Sequence, residues 1–214
     1  MHNKNTPIAV EGLPFVAVAA LISAFFIFEV WTALALFFVL VTFFIVFFFR
    51  NPHRVTPENE KAVVSPADGV VIYIGTVQEP HLDMEMLKIS IFMSVFNVHI
   101  NRTPISAKVI DQFYRPGKFL DVRHESATFE NEQKGLVLET ISGRKLVVVQ
   151  VAGLIARRIV CYPTIGAMLK RGDRYGLIRF GSRLDVYLPP DTELRVKMKD
   201  KTLAGETILG VLHE

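Results

Sequence analysis

Late in the chain a glycine and a serine, Gly181-Ser182, stand between two β-like runs. Glycine leaves its carbonyl open to approach and tolerates backbone angles that other residues avoid. The hydroxyl that follows is a nucleophile once a base and an orienting group are supplied. Two upstream residues are of the right types. His99, within residues 92–104, ends an apolar strand and is followed by polar groups and Pro104; a strand end facing a loop can hold an imidazole and leave it reachable. Asp68 sits in an Asp-Gly turn that opens a strand. Such a carboxylate either bonds its own turn or orients the imidazole that acts as base to a serine.

Other candidates are weaker. His2, His53 and His213 lie at a terminus or in a polar linker, and His81 and His124 fall in polar loops. The single cysteine, Cys161, leaves no internal disulfide or multi-cysteine zinc site, and its apolar surroundings read as packing. The sequence has no metal-ligand spacing, no Gly-rich phosphate loop and no Gly-x-Ser-x-Gly elbow around Ser182. A hydrolase using Ser182 directly therefore lacks its usual frame, and would leave an intact chain.

The elements that must position these residues divide the chain sharply. Its 214 residues are 50% hydrophobic, with a mean hydropathy of +0.34, which is high for a soluble domain. The excess lies at the N-terminus, where Glu29 is the only charge between Gly12 and Arg50. The two apolar runs, 13–28 and 30–49, are each near the ~20 residues that a helix needs to cross a bilayer. They predict a transmembrane helical hairpin with Glu29, Val30 and Trp31 at the far interface; one tilted span or a re-entrant pair are the alternatives. A cleaved signal peptide fits poorly. Lys4 before the hairpin, and Arg50, His53 and Arg54 after it, place both flanks in the cytoplasm, at the inner membrane.

The predicted organisation is a membrane anchor over 1–50, a polar linker over 51–62 and a β-rich domain over 63–214. Strands are expected at 70–74, 87–93, 108–113, 135–140, 145–151, 154–161, 175–179, 185–188, 193–196 and 207–212, with a hairpin turn at Ser142-Gly143. Only 164–169 reads as a helix. The fold class is mainly β, a sandwich or barrel-like domain behind the hairpin. A net charge of +3 suits an anionic lipid surface at least as well as nucleic acid, and no aromatic-interleaved basic stretch argues for the latter. Arg157-Arg158 and the run 170–174 read as a solvated rim or as contacts with anionic headgroups.

Four motifs in order carry a resemblance: Ser65-Pro66-Ala67-Asp68-Gly69, Asn97-Val98-His99-Ile100-Asn101-Arg102, residues 152–160, and residues 172–183 with Gly181-Ser182. Together they resemble the short form of the phosphatidylserine decarboxylase family, from about residue 47 to the C-terminus. The hydrophobic hairpin and the Arg50-Asn51-Pro52 exit resemble it too.

The resemblance implies a proenzyme that cuts itself between Gly181 and Ser182. Ser182 would attack the Gly181 carbonyl to give an ester, and β-elimination would then leave a pyruvoyl group at residue 182. The products would be a large subunit, 1–181, and a small one, 182–214, held as a heterodimer that could oligomerise further. The pyruvoyl ketone would form a Schiff base with phosphatidylserine and draw off the electrons freed as carbon dioxide leaves, so that phosphatidylethanolamine forms without pyridoxal phosphate or a metal. By the same resemblance His99 and Asp68 assist self-cleavage, while Arg102 and Asn97 are candidate substrate contacts. The longer bacterial form has two histidines three apart in this motif; here His99 matches the first and Arg102 stands at the second. His99 then does both duties or another group, such as His124, takes one.

A non-enzymatic membrane adaptor is the competing reading. The turns at 170–173 and 204–207 resemble the hammerhead turns of lipoyl and biotinyl carrier domains, but no long heptad run is present and Lys170-Arg171-Gly172 matches a carrier tip poorly.

Overall fold

The computed structural model describes residues 6–123, 127–153, 158–179 and 181–213, which fall into two compact units, Met1–His53 and Arg54–Glu214.

In the first unit a 3-10 turn, Val10–Gly12, runs into α1 (Leu13–Phe28), and a tight turn leads to α2 (Thr32–Phe48). α2 starts two residues later than the apolar run suggested, because Val30 takes a left-handed conformation (φ 62°) that ends one helix before the next begins. The helices meet through Phe26 and Phe38, whose rings stack 5.2 Å apart, and through the hydroxyls of Ser23 and Thr42, 3.2 Å apart. The open end is tied by Ala9 N–H to Phe49 O (2.8 Å) and Asn51 N–H to Pro7 O (2.7 Å). The helical segment Val10–Phe28 is long and apolar enough to cross a membrane. Most of the large apolar side chains of both helices lie exposed.

The second unit is mainly β. In chain order its elements are β1 (Ala62–Val64), β2 (Gly69–Glu79), β3 (Met84–Met93), β4 (Ile100–Arg102), β5 (Ala107–Arg115), α3 (Ala127–Glu130), β6 (Gln133–Glu139), β7 (Lys145–Ala152), β8 (Ile159–Cys161), β9 (Met168–Leu169), β10 (Arg174–Ile178), β11 (Ser182–Leu188), β12 (Glu193–Leu194), β13 (Lys201–Thr202) and β14 (Ile208–Val211). Eight of them form a curled antiparallel sheet in the order β13-β2-β3-β11-β7-β6-β5-β9. Two three-stranded sheets, β1-β14-β12 and β4-β10-β8, complete the unit. Ser142-Gly143 makes the β6–β7 hairpin turn as expected, with Gly143 at φ 78°.

Two expectations fail. Residues 164–169 are not a helix: Pro163 and the left-handed Gly166 (φ 89°) make a turn closed by Ala167 N–H to Thr164 O (3.1 Å), and β9 follows. The strand expected at 185–188 starts at Ser182, because pairing on both edges overrides the weak local pattern of Ser182-Arg183.

β11 lies between β3 and β7 and is buried at all seven positions. Alternation puts Leu184, Val186 and Leu188 into the main core with Ile89, Ile91, Leu146 and Val148. Arg183, Asp185 and Tyr187 face the other way. There Arg183 Nε lies 2.8 Å from Asp185 Oδ1, Lys88 Nζ lies 3.6 Å from Asp185 Oδ2, and both cations donate to Thr128 Oγ1 (2.6 and 2.9 Å). Leu184→Ala, at a fully buried site, should lower the unfolding free energy of the full chain in detergent by about 2–5 kcal/mol. Ile141→Ala, at the 96% exposed hairpin tip, should leave it within about 0.5 kcal/mol; chemical denaturation followed by fluorescence measures both.

Candidate active site

Ser182 is the first residue of β11, opposite Met93 at the end of β3 and Ala152 at the end of β7. It is wholly buried, and its Oγ–H points at Met93 Sδ, 3.6 Å away. A thioether is a weak acceptor, so this contact orients the hydroxyl without holding it firmly. Asn101 Nδ2 donates to the same sulfur at 3.7 Å, and Asn101 Oδ1 accepts from Gln150 Nε2 at 2.8 Å. Ser182, Met93, Asn101 and Gln150 thus form a continuous buried chain of contacts across four elements, β11, β3, β4 and β7. Sequence reading quoted Asn101 within a motif but singled out none of the last three; a glutamine inside the valine run of β7 was the one available signal.

Gly181 has φ 57°, which glycine adopts freely and other residues at a cost of about 1–2 kcal/mol. Its carbonyl oxygen lies against the Cα of Gly153, where a Cβ would come within 2.1 Å of it.

His99 is 2% exposed. Its Nδ1 lies 3.0 Å from the backbone oxygen of Asn97. A carbonyl can only accept, so the neutral ring carries its proton on Nδ1 and Nε2 is the basic atom. The backbone oxygen of His99 accepts from Ile178 N–H at 3.4 Å, and Leu177 pairs with Ile100. The histidine is therefore tied to β10, the strand that runs directly toward Gly181. Asn97 accepts from both the N–H (2.9 Å) and the hydroxyl (2.8 Å) of Ser94 through Oδ1, so its side chain shapes the loop between β3 and β4.

Asp68 belongs to a second group of residues. Its Oδ2 pairs with Arg54 Nη2 at 2.7 Å, with both side chains under 10% exposed, and its Oδ1 accepts from Ala204 N–H at 2.8 Å. Arg54 also reaches Glu206 at 3.3 Å. Arg102 lies within the field of the same group: burial lowers its pKa most, the nearby Arg54 lowers it further, and Asp68 and Glu206 oppose both. Its Nη1 donates to Gly172 O at 3.0 Å. Alternation along β4 sends Asn101 toward the serine and Arg102 toward Asp68.

The basic run 170–174 is partly engaged. Arg171 donates to the carbonyls of Pro57 (2.6 Å), Ala62 (3.1 Å) and Asn59, clamping the segment that precedes β1, while Arg174 donates to Tyr162 Oη. Lys170 and Arg158 are exposed. His124, Arg157 and residues 154–156 of the predicted 154–161 strand lie outside the described residues, as do Lys4 and Phe180. Cys161 sits in β8, and burial pushes its thiol up to about 11, which fits packing and not nucleophilic chemistry.

Comparison with known proteins gives the family. The family described as phosphatidylserine decarboxylase matches residues 41–210. The chain is 81% identical over 211 residues to the phosphatidylserine decarboxylase proenzyme of Geotalea daltonii, covering 99% of each. It is 73% identical to that of Geotalea uraniireducens, covering 99% of this chain and 100% of the other. The proenzyme of Geobacter sulfurreducens is 63% identical with the same coverage.

Two measurements test the geometry. Asp68→Ala and Arg54→Ala should each cost about 3 kcal/mol, since each leaves a buried charge without its partner; the double variant should fall short of their sum by more than about 1 kcal/mol, read from denaturation midpoints. The thiol of Cys161 should alkylate slowly at pH 8, and its rate should climb about tenfold per pH unit toward pH 11.

Proposed function

The chain belongs to the phosphatidylserine decarboxylase family, and on that premise we propose that it is made as a precursor, cuts itself at Gly181-Ser182, and then converts phosphatidylserine to phosphatidylethanolamine with release of carbon dioxide. The observation that carries the reading is the position of Ser182: buried, at the head of a strand paired on both edges, directly after a left-handed glycine, in a chain whose full-length relatives are named proenzymes.

In this reading Ser182 Oγ adds to the Gly181 carbonyl while Nε2 of His99 receives the hydroxyl proton. β11 stays paired with β3 over seven positions and with β7 over six after the cut, so residue 182 keeps its place and the two products stay together as a heterodimer. Those strand ends, with Met93 and Asn101 beside them, would hold the pyruvoyl group formed from Ser182. That group supplies an electron sink for loss of the substrate carboxylate. His99 then lies near the reacting centre, Arg102 offers a planar cation to the substrate's phosphate or carboxylate, and Asn97 keeps the 94–97 loop in shape around it. Asp68 acts through Arg54 and Ala204 to hold the framework.

The exposed apolar surface of α1 and α2 supports an anchor over residues 1–50 with both helices in the bilayer; the basic residues flanking the hairpin favour residues 51–62 leading out and the unit from residue 63 lying on the cytoplasmic side of the inner membrane. An anionic lipid surface then lies next to the substrate's own location. The adaptor reading falls, because the close relatives are named as decarboxylases and Arg171 in the carrier-like turn is occupied by the segment before β1.

Freshly purified protein should run as two bands on a denaturing gel but elute as one species under native conditions. Ser182→Ala should remain a single chain without decarboxylase activity, and intact mass should show the small fragment beginning with a pyruvoyl group at 182. A wild type that is fully active while uncut would overturn the reading.

A further inference from the structure

Two glycines meet at the scissile bond, for different physical reasons. Around Gly181 there is open space among the described residues: a Cβ placed there would have none of their atoms within 4 Å, and the constraint is its φ of 57°. Gly153 has the opposite constraint. A Cβ on it would lie 2.1 Å from the carbonyl oxygen of Gly181 and 3.0 Å from its carbonyl carbon, with Val122 Cγ1 next at 3.3 Å. The hydrogen in that position therefore points at the oxygen of the bond to be cut, a weak C–H···O contact.

The wall that carries Gly153 is tied down by hydrogen bonds. Ala152, just before it, is paired with Ser182, donates its N–H to Glu132 O at 2.9 Å, and gives its carbonyl to Asn131 Nδ2 at 2.8 Å. Asn131 is wholly buried and also clamps Leu120 through both its N–H and its carbonyl (3.0 and 2.9 Å). Val122, behind the glycine, is 3% exposed, and its carbonyl accepts from Arg183 Nη1 at 2.9 Å. A side chain at 153 would meet the Gly181 carbonyl first and Val122 next; with Val122 buried and Ala152 held by its bonds, the Gly181 peptide would have to turn.

We propose that Gly153 is a positioning residue for self-cleavage: its bare Cα seats the Gly181 carbonyl at the angle from which Ser182 reaches the carbonyl carbon. The inference rests on the self-cleavage reading above and deepens it. In the step concerned, the Ser182 Oγ–Gly181 C bond forms, the Gly181 C–Ser182 N bond breaks, and the hydroxyl proton ends on the released nitrogen, with no other reactant consumed. The attacked oxygen must tilt as the carbon becomes tetrahedral, and glycine at 153 leaves that motion free. A displacement of about 1 Å at a reacting centre costs about 10²-fold in rate.

The test compares wild type, Gly153→Ala and Gly143→Ala as full chains in detergent. Position 143 is a control, since a side chain there meets nothing within 4 Å. Chain scission is followed by denaturing gel and intact mass, folding by thermal midpoint, and ester formation by scission on adding hydroxylamine. Gly153→Ala should stay folded, cleave at least about 100-fold more slowly, and gain no cut with hydroxylamine, because the block precedes the ester; Gly143→Ala should cleave like wild type. Should Gly153→Ala fail to fold, Gly153→Ala with Val122→Ala makes room behind the new methyl and is scored in the same way. Cleavage of a folded Gly153→Ala chain near the wild-type rate, hydroxylamine-dependent cutting, or loss of the fold in both variants overturns the inference. A wild type that never cleaves removes the self-cleavage reading itself, a separate and distinguishable failure.

Discussion

The Arg54–Glu214 unit depends on the register of one strand. β11 is held on both edges, by β3 and by β7, and a slip of one residue would exchange its two faces. Ser182, Leu184, Val186 and Leu188 would then trade places with Arg183, Asp185 and Tyr187. That exchange would drive a guanidinium and a carboxylate into a core of Ile89, Ile91, Leu146 and Val148, where an unmatched ion costs several kcal/mol. The buried Arg183–Asp185 pair with Lys88 thus does more for register than for net stability, and it locates the serine against Met93 and Ala152.

The same logic explains why a chain cut after residue 181 would hold together. Beyond β11, the segment that follows returns to the first part of the domain through the motif around Asp68. Ser65 N–H bonds Thr207 O at 2.7 Å, Gly205 N–H bonds Ser65 O at 2.7 Å, and Asp68 takes Ala204 N–H. β13 pairs with β2 and β14 with β1. The Ser-Pro-Ala-Asp-Gly motif is therefore an interlock between the two sides of the proposed cut, and the Asp68 carboxylate is its charged centre.

The β-branched runs announced β2, β3, β5, β6 and β7, because such residues suit a pleated, half-buried surface, and the break at Glu29 announced the helical hairpin. The start of β11 was not legible: Ser182-Arg183 has no strand signature, and its conformation is imposed by two neighbours distant in sequence. α3 was missed because four residues have no helical period to show. Residues 164–169 misled, since apolar spacing suggested a turn of helix while Gly166 closed a β-turn. Of the site, Gly181, Ser182 and His99 could be singled out by residue type. Gly153 could not, because its value lies in what it lacks, and the carbonyl that uses the space is 28 positions away in sequence, at Gly181.

The substitution of Arg102 for a second histidine has a physical consequence within the proposed mechanism. An imidazole beside a carboxylate can take and return a proton, whereas a guanidinium stays charged even where burial and a neighbouring arginine lower its pKa. Arg102 therefore adds a lasting positive charge beside Asp68, Arg54 and Glu206 and does not itself relay a proton. In the proposed mechanism proton transfer at Ser182 is left to His99, whose basic atom is Nε2. The division along β4 then follows from strand alternation: Asn101 turns toward Met93 and Gln150, and Arg102 toward the charges around Asp68. One strand of three residues thus separates the proposed chemistry from its scaffold.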